Sequence, residues 1–512
     1  MEDSPRFFCI HLFLYPMRAW TAACCLVMCV RCAVYNVSSN SGQLGTILSR
    51  ASSGDVIVAG PGVHRGSAIS VARPNIELRG SAGSTVVALT GTFLVVGANF
   101  IVDGVTFADG TRGCMSILGS GAVLRNSVFV NCVSSGSGAA VAVGGAARTT
   151  LFQNVTILRC RGNIGAVFLA GAGTVRFVDS TWVNNTGVNG AAIYASQTAV
   201  ILNGTNVFEN NQAASSGGAV YIQSGSVVVA GATLFVRNRA GGLGGAVYAL
   251  AGSVVVSEAS VLTNNWAAVS GGAVYSQSGS VSVVDDAVCA SNVAASGSGG
   301  CVFSVANVSL SGRAKIGRNS AGASGGGVFA SRLRCAGQVV VELNTAGNGG
   351  GVFVASFGSI SGFVSFVSNT AAESGGGLAA NDVNGLEIGD STRFVRNAAT
   401  QGGGVYVESG RGVQLAGYAG FSNNTAGNGG GMACLTSTVS MTGNVSFELN
   451  KASKLGGGLY ISDCVLAAGG QASFRRNAAF QGAGVFGMAS TARLFDDVGA
   501  WRFFFFSAFR SA

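Results

Sequence analysis

One short motif recurs along most of this chain of 512 residues. It consists of Phe-x-x-Asn, a short polar loop, a run of glycine or Gly-Gly-Ala, and an aliphatic residue that is usually followed by an aromatic one. Clear copies are FENNQAASSGGAVY (208–221), FVRNRAGGLGGAVY (235–248), FVRNAATQGGGVY (394–406) and FELNKASKLGGGLY (447–460). The aliphatic residue recurs fourteen times between 141 and 485, at intervals of 24 to 28 residues. This period indicates a solenoid, in which each copy packs against its neighbours along the chain.

The residues between the motifs indicate the kind of solenoid. Apolar stretches such as 225–229 and 233–236 are short, rich in β-branched residues and bounded by glycine or asparagine, which is typical of strands and turns. Helical repeats are disfavoured, because paired glycines would cost each helix about 1 kcal/mol per glycine. The sequence therefore predicts an all-β fold, a single-stranded right-handed parallel β-helix of about 26 residues and three short strands per coil. Its coils are expected to stack about 4.8 Å apart.

Composition excludes several other classes of protein. The chain has 80 Gly but only 4 Pro, with 48% hydrophobic and 10% charged residues, which fits neither collagen nor a disordered segment. The mean hydropathy of +0.46 is high, yet no run of 18 apolar residues follows the N-terminus, so several transmembrane helices are excluded. The net charge of +9 comes from scattered basic residues, and nucleic-acid binding is not expected.

Each motif position has a physical interpretation. The phenylalanines are expected to stack inside the coil, and the glycines to allow positive φ at a corner. The asparagines are expected to form a ladder, in which each side-chain amide bonds to the same residue in adjacent coils. This predicted structural ladder comprises Asn211, Asn238, Asn265, Asn369, Asn397, Asn424, Asn450 and Asn477.

The aromatic residue after the aliphatic one is a candidate binding feature. Stacked copies at Tyr194, Tyr221, Tyr248 and Tyr275 would form a ladder that could hold sugar rings or a partner strand. The alternative is that the rings only stack on one another and stabilise the sheet. Alternation in the sequence leaves open whether the aliphatic or the aromatic position faces inward.

The chain is expected to divide into four segments. Residues 1–32 resemble a secretory signal peptide, and residues 33–99 are expected to form an N-terminal cap and the first coils, with a short amphipathic helix at 42–50. Residues 100–490 carry the β-helix repeats, and 491–512 are expected to be an irregular tail. No membrane-spanning segment is expected beyond the signal, and the location is expected to be extracellular or at the cell surface.

Cysteine and histidine give no support to a metal site. Eight cysteines lie outside the predicted signal, none in a Cys-x-x-Cys pair, and His64 is the only histidine there. The cysteines could form disulfides in a secreted chain. No metal or other cofactor is expected. Sequons that would accept N-glycans stand at Asn36, Asn154, Asn184, Asn203, Asn307, Asn423 and Asn444.

The motifs also resemble a known family. The Gly-Gly-[Ala/Gly]-aliphatic and Phe-x-x-Asn tetrapeptides of residues 100–490 resemble the repeats of the chlamydial polymorphic outer membrane proteins and of related algal and protist surface proteins. Residues 42–80 resemble the opening coil of pectate-lyase-like β-helix proteins. The resemblance implies an extracellular β-helix with a role in adhesion.

Two functions are weighed for such a fold. The first is a secreted or surface β-helix with a structural or adhesive role and no catalysis, whose partners would be cell-surface glycans or proteins. The alternative is a carbohydrate-active lyase or hydrolase acting on acidic polysaccharide, which would need converging carboxylates. Asp285 and Asp286, with Arg313 and Lys315 one coil on, are the nearest candidates, and a solvated turn is the preferred interpretation.

Overall fold

The computed structural model describes residues 32–39, 42–66, 68–81, 85–89, 91–145, 147 and 149–494. These residues form a parallel β-helix of about 17 turns with about 26 residues per turn. The predicted fold class is confirmed. The signal peptide predicted at 1–32 lies, apart from its last residue, outside the described residues, as do 495–512 of the predicted tail.

Three sheets run along the rod, and every strand pairs in parallel with strands of adjacent coils. In sheet 1 each coil contributes two segments. In several coils the two segments merge into one long strand, so the strand pairing continues across the corner between them. The strands of sheet 1 are Val34–Val37, Val56–Ala59, Ile69–Val71, Glu77–Gly80, Phe93–Val95, Ile101–Asp103, Met115–Ile117, Ala122–Arg125, Val141–Gly144, Thr149–Gln153, Val167–Val178, Ile193–Asn203, Val220–Val229, Val247–Ala251, Val254–Val256, Val274–Ser276, Val281–Val283, Val302–Leu310, Val328–Cys335, Val352–Ile360, Leu378–Asn381, Leu386–Ile388, Val405–Glu408, Val413–Leu415, Met432–Leu435, Thr438–Met441, Leu459–Ser462, Val465–Ala468, Val485–Met488 and Thr491–Leu494.

Sheets 2 and 3 are built from shorter strands. Sheet 2 carries the phenylalanine positions, and its strands are Gly62–Gly66, Thr85–Leu89, Val105–Ala108, Val128–Val130, Thr156–Leu158, Thr181–Val183, Val207–Glu209, Leu234–Val236, Val261–Thr263, Val288–Ala290, Lys315–Gly317, Val340–Glu342, Ser365–Val367, Arg393–Val395, Tyr418–Ser422, Asn444–Glu448 and Ala472–Arg475. Sheet 3 follows the asparagine corner, and its strands are Val133–Ser137, Arg161–Ile164, Thr186–Gly187, Gln212–Ala213, Arg239–Ala240, Trp266–Ala267, Val293–Ala294, Ser320–Ala321, Thr345–Asn348, Thr370–Ser374, Thr425–Asn428 and Lys451–Leu455.

The register places equivalent residues of successive coils side by side. Phe208 pairs with Phe235 in sheet 2, and Tyr221 lies between Tyr194 and Tyr248 in sheet 1. Identical side chains therefore form columns parallel to the rod axis.

A short helix covers the first coils, close to the position predicted for it. It spans Leu44–Arg50, and the side chains of Leu44 and Leu48 are buried against the strand Ile69–Val71. An uncovered first coil would expose apolar side chains and unpaired strand edges. The helix closes this end of the core.

Glycines permit the tight corner before each sheet 1 strand. Gly244 has φ +65°, a left-handed conformation that favours glycine. A Cβ atom on its neighbour Gly245 would overlap the carbonyl oxygen of Gly272 in the next coil. The paired glycines are thus needed for backbone geometry and for close approach of coils.

The coils continue slightly further than the sequence suggested. Thr491–Leu494 were expected to start an irregular tail, but they form a sheet 1 strand paired with Val465–Ala468. The difference arises because the preceding coil offers them a complete row of backbone partners. Within the described residues, no helix is both long and apolar enough to cross a membrane.

Candidate functional site

The eight predicted ladder asparagines lie in one column at the corner between sheets 2 and 3, and all of them except the partly exposed Asn477 are buried. Asn238 shows the arrangement: its Nδ2 donates to Oδ1 of Asn265 at 3.0 Å and to the carbonyl oxygen of Phe208 at 2.9 Å. Its backbone N–H donates to the same Oδ1 at 3.0 Å. The amide of Asn238 therefore links three successive coils, and its backbone N–H at the corner has an acceptor.

The column contains more asparagines than were predicted. The same bonds run without a break through twelve residues, of which four were not foreseen: Asn185, Asn292, Asn319 and Asn344. The residue three places before each of them is Trp182, Cys289, Ile316 or Val341 instead of phenylalanine, so they do not match the Phe-x-x-Asn motif. Each lies five to seven residues ahead of the positive-φ glycine of the next corner, and that position is the signal that would have found it.

The residue before each ladder asparagine bends the chain. Arg237 has φ 52° and Leu343 has φ 56°, conformations that residues other than glycine adopt infrequently. The ladder bonds of the adjacent Asn238 and Asn344 hold these corners in place. Both the bend and the ladder are repeated in coil after coil, which gives the rod one stiff edge.

The tyrosines predicted as a binding ladder form part of a longer column on the outside of sheet 1, the outer aromatic ladder. Its members are Phe168, Tyr194, Tyr221, Tyr248, Tyr275, Phe303, Phe329 and Phe353. Neighbouring ring centroids are 4.7 to 5.7 Å apart, with interplanar angles of 4° to 23°. Val220 is fully buried while the adjacent Tyr221 is partly exposed, so the aliphatic position faces inward.

The stacking limits what this ladder can bind. Each ring covers the face of the next, so ligands meet ring edges and hydroxyls instead of the open faces on which a sugar would stack. Two of the hydroxyls are already used, because Tyr194 and Tyr248 donate to Oε1 of Gln223 and Gln277, each at 2.9 Å. Burial raises the pKa of Tyr248 to about 12, so its hydroxyl stays protonated at neutral pH. These contacts favour a stabilising role for the ladder.

The acidic candidates form exposed ion pairs. Arg313 donates from Nε and Nη2 to the two carboxylate oxygens of Asp286 at 2.6 and 2.5 Å, and this contact lowers the pKa of Asp286. Asp285 Oδ2 accepts from the backbone N–H of Glu258 at 3.3 Å, and Lys315 pairs with Glu342 at 2.7 Å. The four residues are thus arranged as neighbours across coils, each with its own partner, instead of converging on one point.

Two disulfides join Cys114 to Cys132 and Cys289 to Cys301, both inside the rod. His64 is buried near the cap, with Nε2 3.0 Å from the carbonyl oxygen of Gly60. In the part of the chain that the structure describes, no three potential metal ligands are grouped together.

A groove on the outside of sheet 2 was not foreseen. This groove, the basic trough, has a volume of about 670 Å³, and its lining includes Arg393, Tyr418, Gly420, Asn444, Ser446 and Arg475. None of the side chains that line it is acidic. It was missed because its residues come from four coils and belong to no motif, so only the register brings them together.

Comparison with known proteins supports the repeat. Residues 207–223 match the model of the Chlamydia polymorphic membrane protein (Chlamydia_PMP) repeat. No curated protein matches the chain. A solved structure similar to this chain is that of the PL6 family alginate lyase AlyGC, at 8% identity and a TM-score of 0.26, covering 90% of this chain and 100% of that one. The chain thus carries a repeat similar to that of the polymorphic membrane proteins, and together with its β-helix this repeat suggests a surface protein.

Proposed function

We propose that this protein is a rigid rod, secreted or displayed at a cell surface, whose role is structural or adhesive and which catalyses no reaction. The observation that carries the proposal is the unbroken asparagine ladder from Asn185 to Asn477. Twelve rungs, eleven of them buried, make a stiff body that extends a surface away from its point of attachment. Such a body suits display and contact between surfaces.

Two further observations support a location outside the reducing cytosol. Disulfides form and persist mainly in oxidising compartments, and the described chain has two of them. The repeat match at residues 207–223 is to a family named for membrane proteins. Partners of such a rod would be glycans or proteins of a facing surface.

An enzyme acting on acidic polysaccharide is the alternative, favoured by the net charge of +9 and by the fold class. Hydrolysis of a glycosidic bond ordinarily needs two carboxyl groups flanking the bond. Asp286 is instead held by Arg313, and both side chains are more than half exposed. We therefore rank the alternative second.

The two functions are separated by a turnover assay. Purified protein is incubated with polygalacturonate, alginate and neutral glucans, and unsaturated or reducing ends are followed over time. We expect no release above a heat-denatured control. If the unmodified protein releases such ends and Asp286→Asn does not, the proposal of no catalysis is wrong and the enzyme alternative is established.

Adhesion is measured separately. Beads coated with the protein are expected to attach to glycan-bearing cells, whereas beads coated with the heat-denatured chain are not. Equal attachment of both kinds of bead would contradict the adhesive role.

A further inference from the structure

The basic trough lies where the outer face of sheet 2 loses its large side chains. Arg393, Gly420 and Ser446 follow one another in register, and Ser473 continues the column. In earlier coils the same column carries Val207, Leu234, Val261 and Val288. Glycine and serine leave a depression there that valine and leucine would fill.

Polar and aromatic groups surround the depression. Tyr418 and Asn444 are register neighbours along one side, and Tyr418 is 65% exposed, so its ring lies open to solvent. Its ring has no stacking partner among the described residues, in contrast to the rings of the outer aromatic ladder. An open aromatic face beside amide and hydroxyl groups matches the alternating apolar and polar surfaces of a sugar.

Two arginines give the trough its charge. Arg393 and Arg475 are exposed and stand three coils apart, a spacing of about 14 Å along the axis at about 4.8 Å per coil. Asp390, near the first arginine in sequence, accepts from the backbone N–H of Gly362 at 2.9 Å. Glu448 is the register neighbour of Arg475 and is the acidic group closest to it in the sheet, yet it does not line the trough.

From this arrangement we infer that the basic trough binds a short stretch of an anionic oligosaccharide, with a sugar ring on Tyr418 and carboxylate or sulfate groups at Arg393 and Arg475. The inference rests on the proposed adhesive function, for which it names the ligand. Guanidinium groups recognise both kinds of anion by paired hydrogen bonds. The amide of Asn444 and the hydroxyl of Ser446 would contact sugar hydroxyls.

Glycine at position 420 offers a sharp test of the trough. A Cβ atom there would lie 3.6 Å from Ser446 Oγ and 4.0 Å from Arg393 Cγ, in ordinary contact. Gly420→Leu should therefore fold normally and fill the trough while leaving both arginines. Ser365→Leu is the matched control, because Ser365 precedes Arg393 in the same column and lies outside the trough.

The binding experiment uses the full chain produced without N-glycans, since Asn444 begins a sequon. Three probes are titrated by calorimetry: a galacturonate oligosaccharide, a sulfated oligosaccharide and a neutral glucan oligosaccharide. We expect one or both charged probes to bind at least tenfold more tightly than the neutral one, weakening with added salt. The relative affinity of the two charged probes identifies the anion.

The variants decide whether binding occurs in the trough. Gly420→Leu should weaken binding about tenfold or more because it fills the trough, and the double change Arg393→Gln with Arg475→Gln should weaken it as much because bonds to charged groups are lost. Ser365→Leu should bind like the unmodified chain, and Glu448→Gln should bind slightly more tightly. Equal affinity for neutral and charged probes, or unchanged binding by Gly420→Leu, would overturn the inference.

Failure of the trough and failure of the adhesive role are distinguishable. If Gly420→Leu protein attaches to cells as well as the unmodified chain does, the rod is adhesive through another surface. If the unmodified chain neither attaches to cells nor binds any probe, both proposals fail.

A second, independent observation concerns two buried cysteines. The Sγ atoms of Cys434 and Cys464, in adjacent coils, are 2.6 Å apart, too close for two separate thiols at ordinary contact distance. We infer that these residues form a third disulfide in the mature protein. The two thiols would pass their hydrogens and two electrons to an oxidised disulfide of a thiol oxidoreductase, which leaves as a dithiol.

Peptide mapping tests this disulfide. Trypsin cuts after Lys451 and Lys454, so the two cysteines fall in different peptides. Without reductant, we expect a linked pair of peptides, while Cys160 and Cys335, buried without a disulfide, are alkylated in the denatured chain. Alkylation of Cys434 and Cys464 under the same conditions would refute the inference.

Discussion

Two regions of the rod differ in where their aromatic residues lie: in one region they stack on the outside of sheet 1, and in the other they stack on the inside of sheet 2. In the coils from Tyr248 to Phe353 the outer aromatic ladder is continuous, while the inward positions of sheet 2 hold smaller residues. These smaller residues are Leu262, Cys289, Ile316 and Val341. From Phe366 to Phe474 the reverse holds, because five phenylalanines stack inside and the outer column is interrupted by Ala379 and Ala433.

The comparison shows which parts of a coil are interchangeable. Both regions share the asparagine ladder. The asparagine corner is therefore common to both, whereas the position of the aromatic residues differs between them. In the second region the motif has a third glycine, which first appears at Gly327, and a Cβ on Gly431 would lie 2.7 Å from Cδ1 of Phe447. Phe208 and Phe235 are also fully buried, in coils that keep the alanine at 219 and 246, so the glycine gives close packing beside an inner ring without being required in every coil.

The largest expected effect comes from removing an inner ring. Phe421→Ala should destabilise its coils by about 3 to 5 kcal/mol, because the fully buried ring leaves a cavity. Tyr275→Ala, in the partly exposed outer ladder, should cost about 1 to 3 kcal/mol, mainly from two lost stacking contacts. Hydrogen exchange of amides in the adjacent coils measures both changes locally. Equal loss of protection would mean that the two stacks contribute alike.

Much of this architecture was predictable because it repeats locally. The period, the strand patterns and the Phe-x-x-Asn motif predict coils and a ladder, and Asn238 bonds as such a ladder requires. The sequence did not determine whether the side chain of Tyr221 faces inward or outward, since alternation alone does not distinguish the two sides of a strand. The basic trough was not predictable, because only the register of four coils brings Arg393 and Arg475 to the same groove.

A smaller effect is expected when a side chain is added opposite an inner ring. Gly431→Ala should cost about 1 to 3 kcal/mol through overpacking, since its Cβ would also lie 2.6 Å from the carbonyl oxygen of Gly458. Gly420→Ala is the control, because its Cβ would make only ordinary contacts on the outside of sheet 2, 3.6 Å from Ser446 Oγ and 4.0 Å from Arg393 Cγ. Thermal unfolding of the two variants compares them directly. A Gly431→Ala protein as stable as its control would show that the inner stack adjusts without strain.

The smallest effect is expected from titrating the outer ladder. Burial raises the pKa of Tyr248 from 10.0 to about 12, with further contributions from Tyr221 and Tyr275. Between these two pH values the unfolded chain has lost the phenolic proton and the folded rod has kept it, so folded stability falls as pH rises. Below pH 10 this contribution is complete. Tyr248→Phe keeps the stacked ring but cannot ionise, so its stability should fall less steeply across this interval, as followed by denaturant unfolding at each pH. Identical slopes for both proteins would place the alkaline sensitivity of the rod elsewhere, for example at Tyr406, whose pKa is also raised by burial.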